Sequence, residues 1–204
     1  MAGARVETQV DFFWHPRILR PFLNMNGKLL VVSSCVLALS AGGAETDSSS
    51  PSEDRVGFPS DYGKGYEVLR TVIRDEGTKV VTVYGNALAA SVTNLAQLPY
   101  PNGSVLVMET ASTVKNSEGR PVKEAGGALQ KEKVLGLHVM RRGKDFGAGY
   151  AAKRSGEWEF VEYRADGSHI TPPQKSSSCA ECHIKAGAGK DFVFNGRFAA
   201  PEKK

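Results

Sequence analysis

The sequence predicts an α+β domain, in which an antiparallel β-sheet packs against a few helices and a Cys-x-x-Cys-His motif lies near the C-terminus. Two observations lead to this fold class. Short β-branched and aromatic runs alternate with Gly, Pro and Asn turn signals, and only two segments space their apolar residues as a helix does. The 204 residues suffice for one ordinary domain, and the formal net charge of +4 forms no basic stripe. We therefore expect no nucleic-acid partner.

Residues 1–44 are predicted to be an N-terminal extension that contains a signal peptide. Leu29–Leu39 is an apolar run of the length found in export signals, and small residues follow at 40–44. The run is too short to span a bilayer, which takes about 20 apolar residues. Met25 is a candidate for the true start, since a short basic segment leads from it directly into the run. We expect export to the periplasm, with a buried core helix as the alternative interpretation.

A lipid anchor is a less favoured alternative for the same segment. Residues 32–35 resemble a lipoprotein box ending at Cys35, but the apolar run continues beyond that cysteine. Cleavage within 40–44 is therefore preferred. The serine-rich stretch that follows predicts a flexible linker at 45–57, and the remaining residues, 58–200, are predicted to form the domain.

Four runs of β-branched and aromatic residues predict the strands of the sheet. Turn signals bound the first two runs, and a Gly- and Lys-rich segment that suits a hairpin connection separates the last two. The predicted strands are Lys79–Tyr84, Ser104–Glu109, Val134–Met140 and Trp158–Tyr163.

Helices are predicted in two places. Gly65–Asp75 and Ala87–Leu98 both carry apolar residues at helical spacing, so each could pack on one face of the sheet. Gly119–Lys131 is polar and contains glycine, which predicts an exposed loop.

The most specific motif is Cys179-Ala180-Glu181-Cys182-His183. On a helical turn, positions i, i+3 and i+4 share one face, so both thiols can reach the vinyl groups of a haem while the imidazole binds the iron. This is the spacing by which haem c is attached. We therefore expect one covalently attached haem, held by Cys179 and Cys182 and ligated by His183. Such haem is assembled on exported chains, which agrees with the predicted leader.

Two other uses of the cysteine pair are less favoured. A redox dithiol would need a thioredoxin-like context and would leave the adjacent histidine without a task. Zinc would need further ligands, but the other histidines, His15, His138 and His169, are scattered along the chain.

The haem motif and its tail at 184–194, together with the strands, resemble the cytochrome P-460 and cytochrome c-prime-beta family. The resemblance runs from about Phe58 to Phe198, and its most specific parts are residues 82–86, residues 100–109, Trp158 with Phe160, and the Lys-Asp-Phe-Val-Phe tail. It implies a β-rich homodimer with five-coordinate haem iron and His183 as the proximal ligand.

Members of that family divide by chemistry. The P-460 branch oxidises hydroxylamine and has a lysine cross-linked to the porphyrin, whereas the c-prime-beta branch binds nitric oxide in an apolar pocket. By resemblance, Met108 replaces that lysine, Val81 replaces an arginine and His138 replaces a carboxylate. A thioether cannot form the amine cross-link. We therefore expect the chain to bind nitric oxide or a related small ligand, and to exchange electrons with a redox partner protein.

The resemblance makes Val81, Tyr100, Met108 and His138 the candidates for the distal pocket, and no catalytic residue is assigned. Strand alternation predicts that Leu106 and Met108 share a face, as do Val134, Gly136, His138 and Met140. Met108 could instead be core packing, His138 a structural histidine and Tyr100 a half-buried turn residue.

Two rival functions stay open. One is an enzyme that oxidises hydroxylamine or nitric oxide. The other is a plain electron carrier, whose six-coordinate iron would have His183 on one side and a second ligand on the other. The candidates for that ligand are Met108, Met140, His138 and His169.

Overall fold

Six strands form one antiparallel sheet, in which each strand pairs with its neighbours along the chain. The structure is a computed structural model that describes residues 50–194. The strands are β1 Glu67–Arg74, β2 Lys79–Gly85, β3 Val105–Thr113, β4 Lys131–Arg142, β5 Trp158–Tyr163 and β6 His169–Thr171. The antiparallel sheet and the α+β class are confirmed. The predicted leader at 1–44 lies outside the described residues.

Helices are short throughout residues 50–194. The α-helices there are α1 Tyr62–Gly65, α2 Ala87–Ala90 and α3 Ser177–Ile184. Single 3-10 turns occupy Asp75–Gly77, Leu95–Gln97, Pro173–Lys175 and Ala188–Lys190, and a longer one occupies Ala148–Lys153. Within the described part of the chain, none of the helices combines the length and the apolar character needed to cross a bilayer.

The helix predicted at Gly65–Asp75 is wrong, because this segment is strand β1. It pairs with β2 from Glu67 opposite Gly85 to Arg74 opposite Lys79. Its β-branched residues favour an extended backbone, and pairing with a neighbouring strand outweighs the helical spacing of its apolar residues.

The helix predicted at Ala87–Leu98 breaks into two short pieces. The Asn86 side chain caps α2 by accepting a hydrogen bond from the Ala89 amide. Four residues after that helix ends, the Asn94 side chain accepts from the Ala96 amide and starts a separate 3-10 turn. The interruption has a local cause, since asparagine competes for backbone hydrogen bonds and favours caps over helix interiors.

Apolar side chains cover both faces of the sheet. On one face Tyr84, Val107, Leu137, Val139 and Tyr163 form a buried cluster with Val56. On the other, the alternate residues Leu106, Met140 and Phe160 pack with Trp158, Tyr150 and Ala180 of α3. The second face therefore carries α3 and with it the Cys-x-x-Cys-His motif.

The described part of the predicted linker at 45–57 packs against the sheet rather than extending freely. Val56 is only 1% exposed, and the Arg55 Nε donates to the buried Glu159 carboxylate at 3.1 Å. Serine and proline content alone does not predict that residues 50–57 are packed, because the contacts that hold them come from strand β5, far along the chain.

Asp54 fastens this same segment to the last two strands. Its carboxylate accepts the Tyr163 hydroxyl at 2.7 Å and the Gly57 amide at 2.8 Å, and lies 2.9 Å from His169 Nε2. Burial by itself would raise the pKa of Asp54, but these three partners outweigh it and hold the pKa below its ordinary value.

We expect Asp54→Asn to lower the free energy of unfolding by about 1 kcal/mol at pH 7, since it removes charge-assisted hydrogen bonds. A carboxylate with a lowered pKa stabilises the fold above its ordinary pKa of about 3.8 and loses that effect as the pH falls through the folded-state value. Denaturant unfolding between pH 7 and pH 3 should therefore show the difference from wild type shrinking with acid. Glu53→Gln, a change at the exposed neighbour, is the control, and an equal loss in both variants would contradict the assignment.

Candidate haem site

An apolar cavity of about 420 Å³ lies between the sheet and α3. Strands β2 to β5 contribute Val83, Leu106, Met108, His138, Met140 and Phe160. The remaining wall comes from α3 and the chain that follows it, through Cys179, Cys182, His183, Val193 and Phe194. The residues of the haem motif and the predicted face of β3 therefore meet at one cavity.

The motif lies on helix α3, as its spacing predicts. Ser177–Ile184 is helical, and Cys179, Cys182 and His183 all line the cavity. Burial raises the pKa of the Cys179 thiol. Two thiols and an imidazole therefore lie on one wall of the cavity, with mostly apolar side chains opposite.

His183 is oriented by a hydrogen bond to the main chain. Its Nδ1 lies 2.7 Å from the Phe192 carbonyl oxygen, so Nδ1 carries the proton and Nε2 keeps its lone pair. Its ring packs against Phe160, with 4.6 Å between ring centroids, and against Phe194 at 5.3 Å. Burial lowers the pKa of His183 and outweighs the hydrogen bond to the Phe192 carbonyl, which acts in the opposite direction. The neutral imidazole with a free Nε2 is the form that binds a metal.

Two of the four distal candidates line the cavity. Met108 and His138 are directly opposite each other on β3 and β4. The exposed fraction of Met108 is 37%, so this side chain is not plain core packing. These two side chains therefore face the cavity side by side.

Val81 is not among the residues that line the cavity. It pairs with Thr110, whereas Val83, two residues later on the same face, pairs with Met108 and does line the cavity. Val83 was not among the predicted pocket residues, although strand alternation from Val81 could have identified it.

Tyr100 lies in the core rather than at the cavity wall. Its ring is 1% exposed and packs edge-on against Trp158, with 5.6 Å between centroids. Its amide donates to Asp191 Oδ2 at 3.0 Å. Tyr100 therefore connects the loop before β3 to the turn that contains Asp191.

The shared face predicted for strand β4 ends at a bulge. Thr110 pairs with Gly136, but the next residue, Ala111, pairs with Val134, which leaves Leu135 as an extra residue. Val134 consequently packs with the cluster on the opposite face. The alternation predicted from sequence therefore holds for His138 and Met140 and is wrong for Val134.

A carboxylate that the sequence analysis did not single out lies beside His138. Glu162, the β5 residue opposite His138, places Oε1 3.2 Å from His138 Nε2, and its Oε2 accepts the Thr171 hydroxyl at 2.9 Å. Only the pairing of β4 with β5 brings these residues together, so no local pattern could have revealed the pair.

Side chains that could bind a metal are spread over the described part of the chain. Within residues 50–194, no group of three or more His, Cys, Asp or Glu side chains is arranged to hold a metal ion. His138 lies at the cavity, whereas His169 contacts Asp54 on the other side of the sheet. These two histidines therefore lie at separate places in the fold.

The turn that supplies the Phe192 carbonyl packs tightly on Gly156. Asp191 and Phe192 both have a left-handed backbone, with φ of +49° and +59°. A Cβ atom at Gly156, itself at φ +66°, would lie 2.9 Å from Cδ2 of the Phe192 ring. Glycine at position 156 therefore leaves space for the Phe192 ring and also adopts the left-handed backbone without strain.

Comparison with known protein families identifies the region that contains this cavity. The family model described as Cytochrome P460 matches residues 59–195, well over half of the chain. No protein with a curated description matches it. The matched region contains the whole sheet, α3 and the turn at Phe192.

We expect Gly156→Ala to lower the free energy of unfolding by about 2 to 4 kcal/mol, because a left-handed backbone and a collision with the Phe192 ring add together. Gly119→Ala is the matched control, since that glycine has φ +76° but no atom within 4 Å of an added Cβ. It should cost only about 1 kcal/mol. Denaturant unfolding measures the free energy of unfolding of both variants. Equal losses would show that the Phe192 ring moves aside without a loss of stability, which would contradict the expectation.

Proposed function

The chain belongs to the cytochrome P460 family of haem-binding cytochromes, and from that premise we propose that it is an exported cytochrome with one covalently attached haem c that binds nitric oxide or a related small ligand. The observation that carries the proposal is the wall formed by Cys179, Cys182 and His183, which closes a cavity lined otherwise by mostly apolar residues.

The residues of the cavity fit a haem c group. Cys179 and Cys182 would form the two thioether bonds, and His183 would bind the iron through Nε2, because Nδ1 is occupied by the Phe192 carbonyl. When bound, the haem supplies an iron centre that exchanges electrons and takes small ligands. Phe160 and Phe194 hold the plane of the His183 ring by packing against it.

The opposite wall supports ligand binding over hydroxylamine oxidation. Val83, Leu106 and Met140 are apolar and keep water away from a small ligand. Met108 lies where the hydroxylamine-oxidising relatives are expected to have a lysine, and its thioether cannot form the amine cross-link. His138 is the polar side chain on this wall that could donate a hydrogen bond to the ligand.

One observation favours the enzymatic alternative. Glu162 lies 3.2 Å from His138, so a carboxylate is present near the cavity although position 138 itself lacks one. A histidine with a carboxylate beside it can act as a general base, which keeps an oxidoreductase acting on hydroxylamine or nitric oxide as the second candidate.

A plain electron carrier is the third candidate. Met108, Met140 and His138 all line the cavity, and a thioether or an imidazole can each complete six-coordinate haem iron. The coordination number of the iron separates this function from ligand binding.

Export, a periplasmic location, a redox partner protein and a homodimer belong to the same proposal. The leader predicted at 1–44 supports export, since haem c is attached on exported chains. The dimer and the partner protein follow from the family resemblance.

We expect the wild-type chain, expressed with c-type haem maturation, to keep its haem through denaturing electrophoresis, because thioether bonds are covalent. The double variant Cys179→Ala with Cys182→Ala should lose the haem stain completely. A chain without residues 1–44 should also lack the stain, because it is not exported. Cys35→Ala is the control and should keep the haem stain. A wild-type band without stain would contradict covalent attachment of haem c.

We expect a five-coordinate spectrum for the wild type and faster nitric oxide release from His138→Ala. Loss of one hydrogen bond to the ligand, worth about 1 to 2 kcal/mol, corresponds to release about 5- to 30-fold faster. Stopped-flow release rates measure the effect, and His169→Ala is the control because His169 does not line the cavity.

Two outcomes would contradict this expectation. Equal release rates in the His138→Ala and His169→Ala variants would remove the donor role. A six-coordinate wild type that becomes five-coordinate in His138→Ala or Met108→Ala would instead identify an electron carrier.

A further inference from the structure

The turn after α3 holds a conformation that its residues do not adopt by themselves. Phe192 has φ +59°, a left-handed backbone that is rare for a bulky residue and costs about 1 to 3 kcal/mol. Its carbonyl oxygen accepts the hydrogen bond from His183 Nδ1 at 2.7 Å. The strained residue is thus the one that orients the imidazole, and other contacts must keep it in place.

Asp191 supplies those contacts. Its side chain is buried, with 7% of the residue exposed. Its Oδ2 accepts the Tyr100 amide at 3.0 Å and lies 3.4 Å from Arg142 Nε. Its own carbonyl accepts the Trp158 Nε1 proton at 2.9 Å. The loop before β3, the end of β4 and the start of β5 therefore converge on the residue immediately before Phe192.

A carboxylate is a costly group for this position if it only fills space. Burial raises the pKa of Asp191, although the Tyr100 amide and the Arg142 guanidinium act in the opposite direction. An apolar side chain of similar size would avoid that desolvation cost. It could not hold the Tyr100 amide, and it would adopt the left-handed φ of +49° less readily than aspartate does.

We propose that Asp191 is a positioning residue for the iron ligand, which aims the Phe192 carbonyl at His183 Nδ1 and thereby sets the strength of the iron–histidine bond. The inference rests on the proposed haem c function, because it treats His183 as the ligand. A hydrogen bond from Nδ1 to a carbonyl raises the basicity of Nε2, and outer hydrogen bonds of this kind tune haem potentials.

The test compares Asp191→Ala and Asp191→Asn in the haem-loaded protein. The readouts are the iron–histidine stretching band of the ferrous form in resonance Raman spectra and the midpoint potential. Asp191→Ala should lower the stretching frequency and raise the potential, because a weaker Nδ1 hydrogen bond makes Nε2 a poorer donor to the iron. Asp191→Asn should shift both in the same direction but less, since it keeps an acceptor for Tyr100 and tolerates the backbone while losing the charge.

Glu109→Gln is the matched control. Glu109 is another buried carboxylate, hydrogen-bonded to Tyr62 and Lys131 beside the cluster on the opposite face of the sheet. It should lose stability without moving either readout. If Asp191→Ala does not fold, Trp158→Phe replaces it, because that change removes the Nε1 donor to the Asp191 carbonyl and should shift both readouts in the same direction.

The inference would be overturned if Asp191→Asn keeps the stretching frequency and the midpoint potential of the wild type, and if the second variant that folds, Asp191→Ala or Trp158→Phe, keeps them too. Failure of the proposed function looks different. If the proposed function fails, the wild-type chain shows no haem stain after denaturing electrophoresis. If the variants keep the stain and have unchanged spectra, only the role of Asp191 is contradicted.

Discussion

The hydrogen bond from His183 Nδ1 to the Phe192 carbonyl is the constraint on which the site depends. It joins helix α3 to the turn that follows, and it leaves Nε2 as the nitrogen with a lone pair. Without it, a partly buried imidazole could rotate or change tautomer, and the two thiols on the same helix would lose their fixed relation to it. The strained backbone at Phe192 is tolerated because Asp191 is bonded to the loop before β3, to the end of β4 and to the start of β5.

Strand register sets the wall opposite that helix. One residue from each of four neighbouring strands falls in a single row across the sheet, in the order Val83, Met108, His138 and Glu162. A slip of one residue in any pairing would turn that strand's side chain to the other face. The long antiparallel pairings of β2, β3 and β4 make such a slip costly. The backbone hydrogen bonds of the sheet therefore determine which side chains line the cavity.

Sequence reasoning succeeded where the signal was local. The four predicted strands, the helical turn of the haem motif and the shared face of Leu106 and Met108 needed only residue type and spacing. It failed where partners lie far along the chain. Strand β1 is extended because β2 pairs with it, Val134 changes face at a bulge against Ala111, and Glu162 meets His138 through the β4–β5 pairing. Periodicity within one segment carries none of that information.

The same row of residues shows why the choice of chemistry is finely balanced. Met108 offers no amine and little acid–base chemistry, which favours reversible binding of a small ligand. Glu162 places a carboxylate 3.2 Å from His138, and the hydroxyl of Thr171 holds the second oxygen of that carboxylate at 2.9 Å, so an acid–base pair lies beside the cavity as well. Burial lowers the pKa of His183, which keeps this imidazole neutral and able to bind a metal. The two walls of the cavity therefore have separate tasks: His183 keeps Nε2 available for a metal, whereas Met108 and His138 on the opposite wall would meet the small ligand.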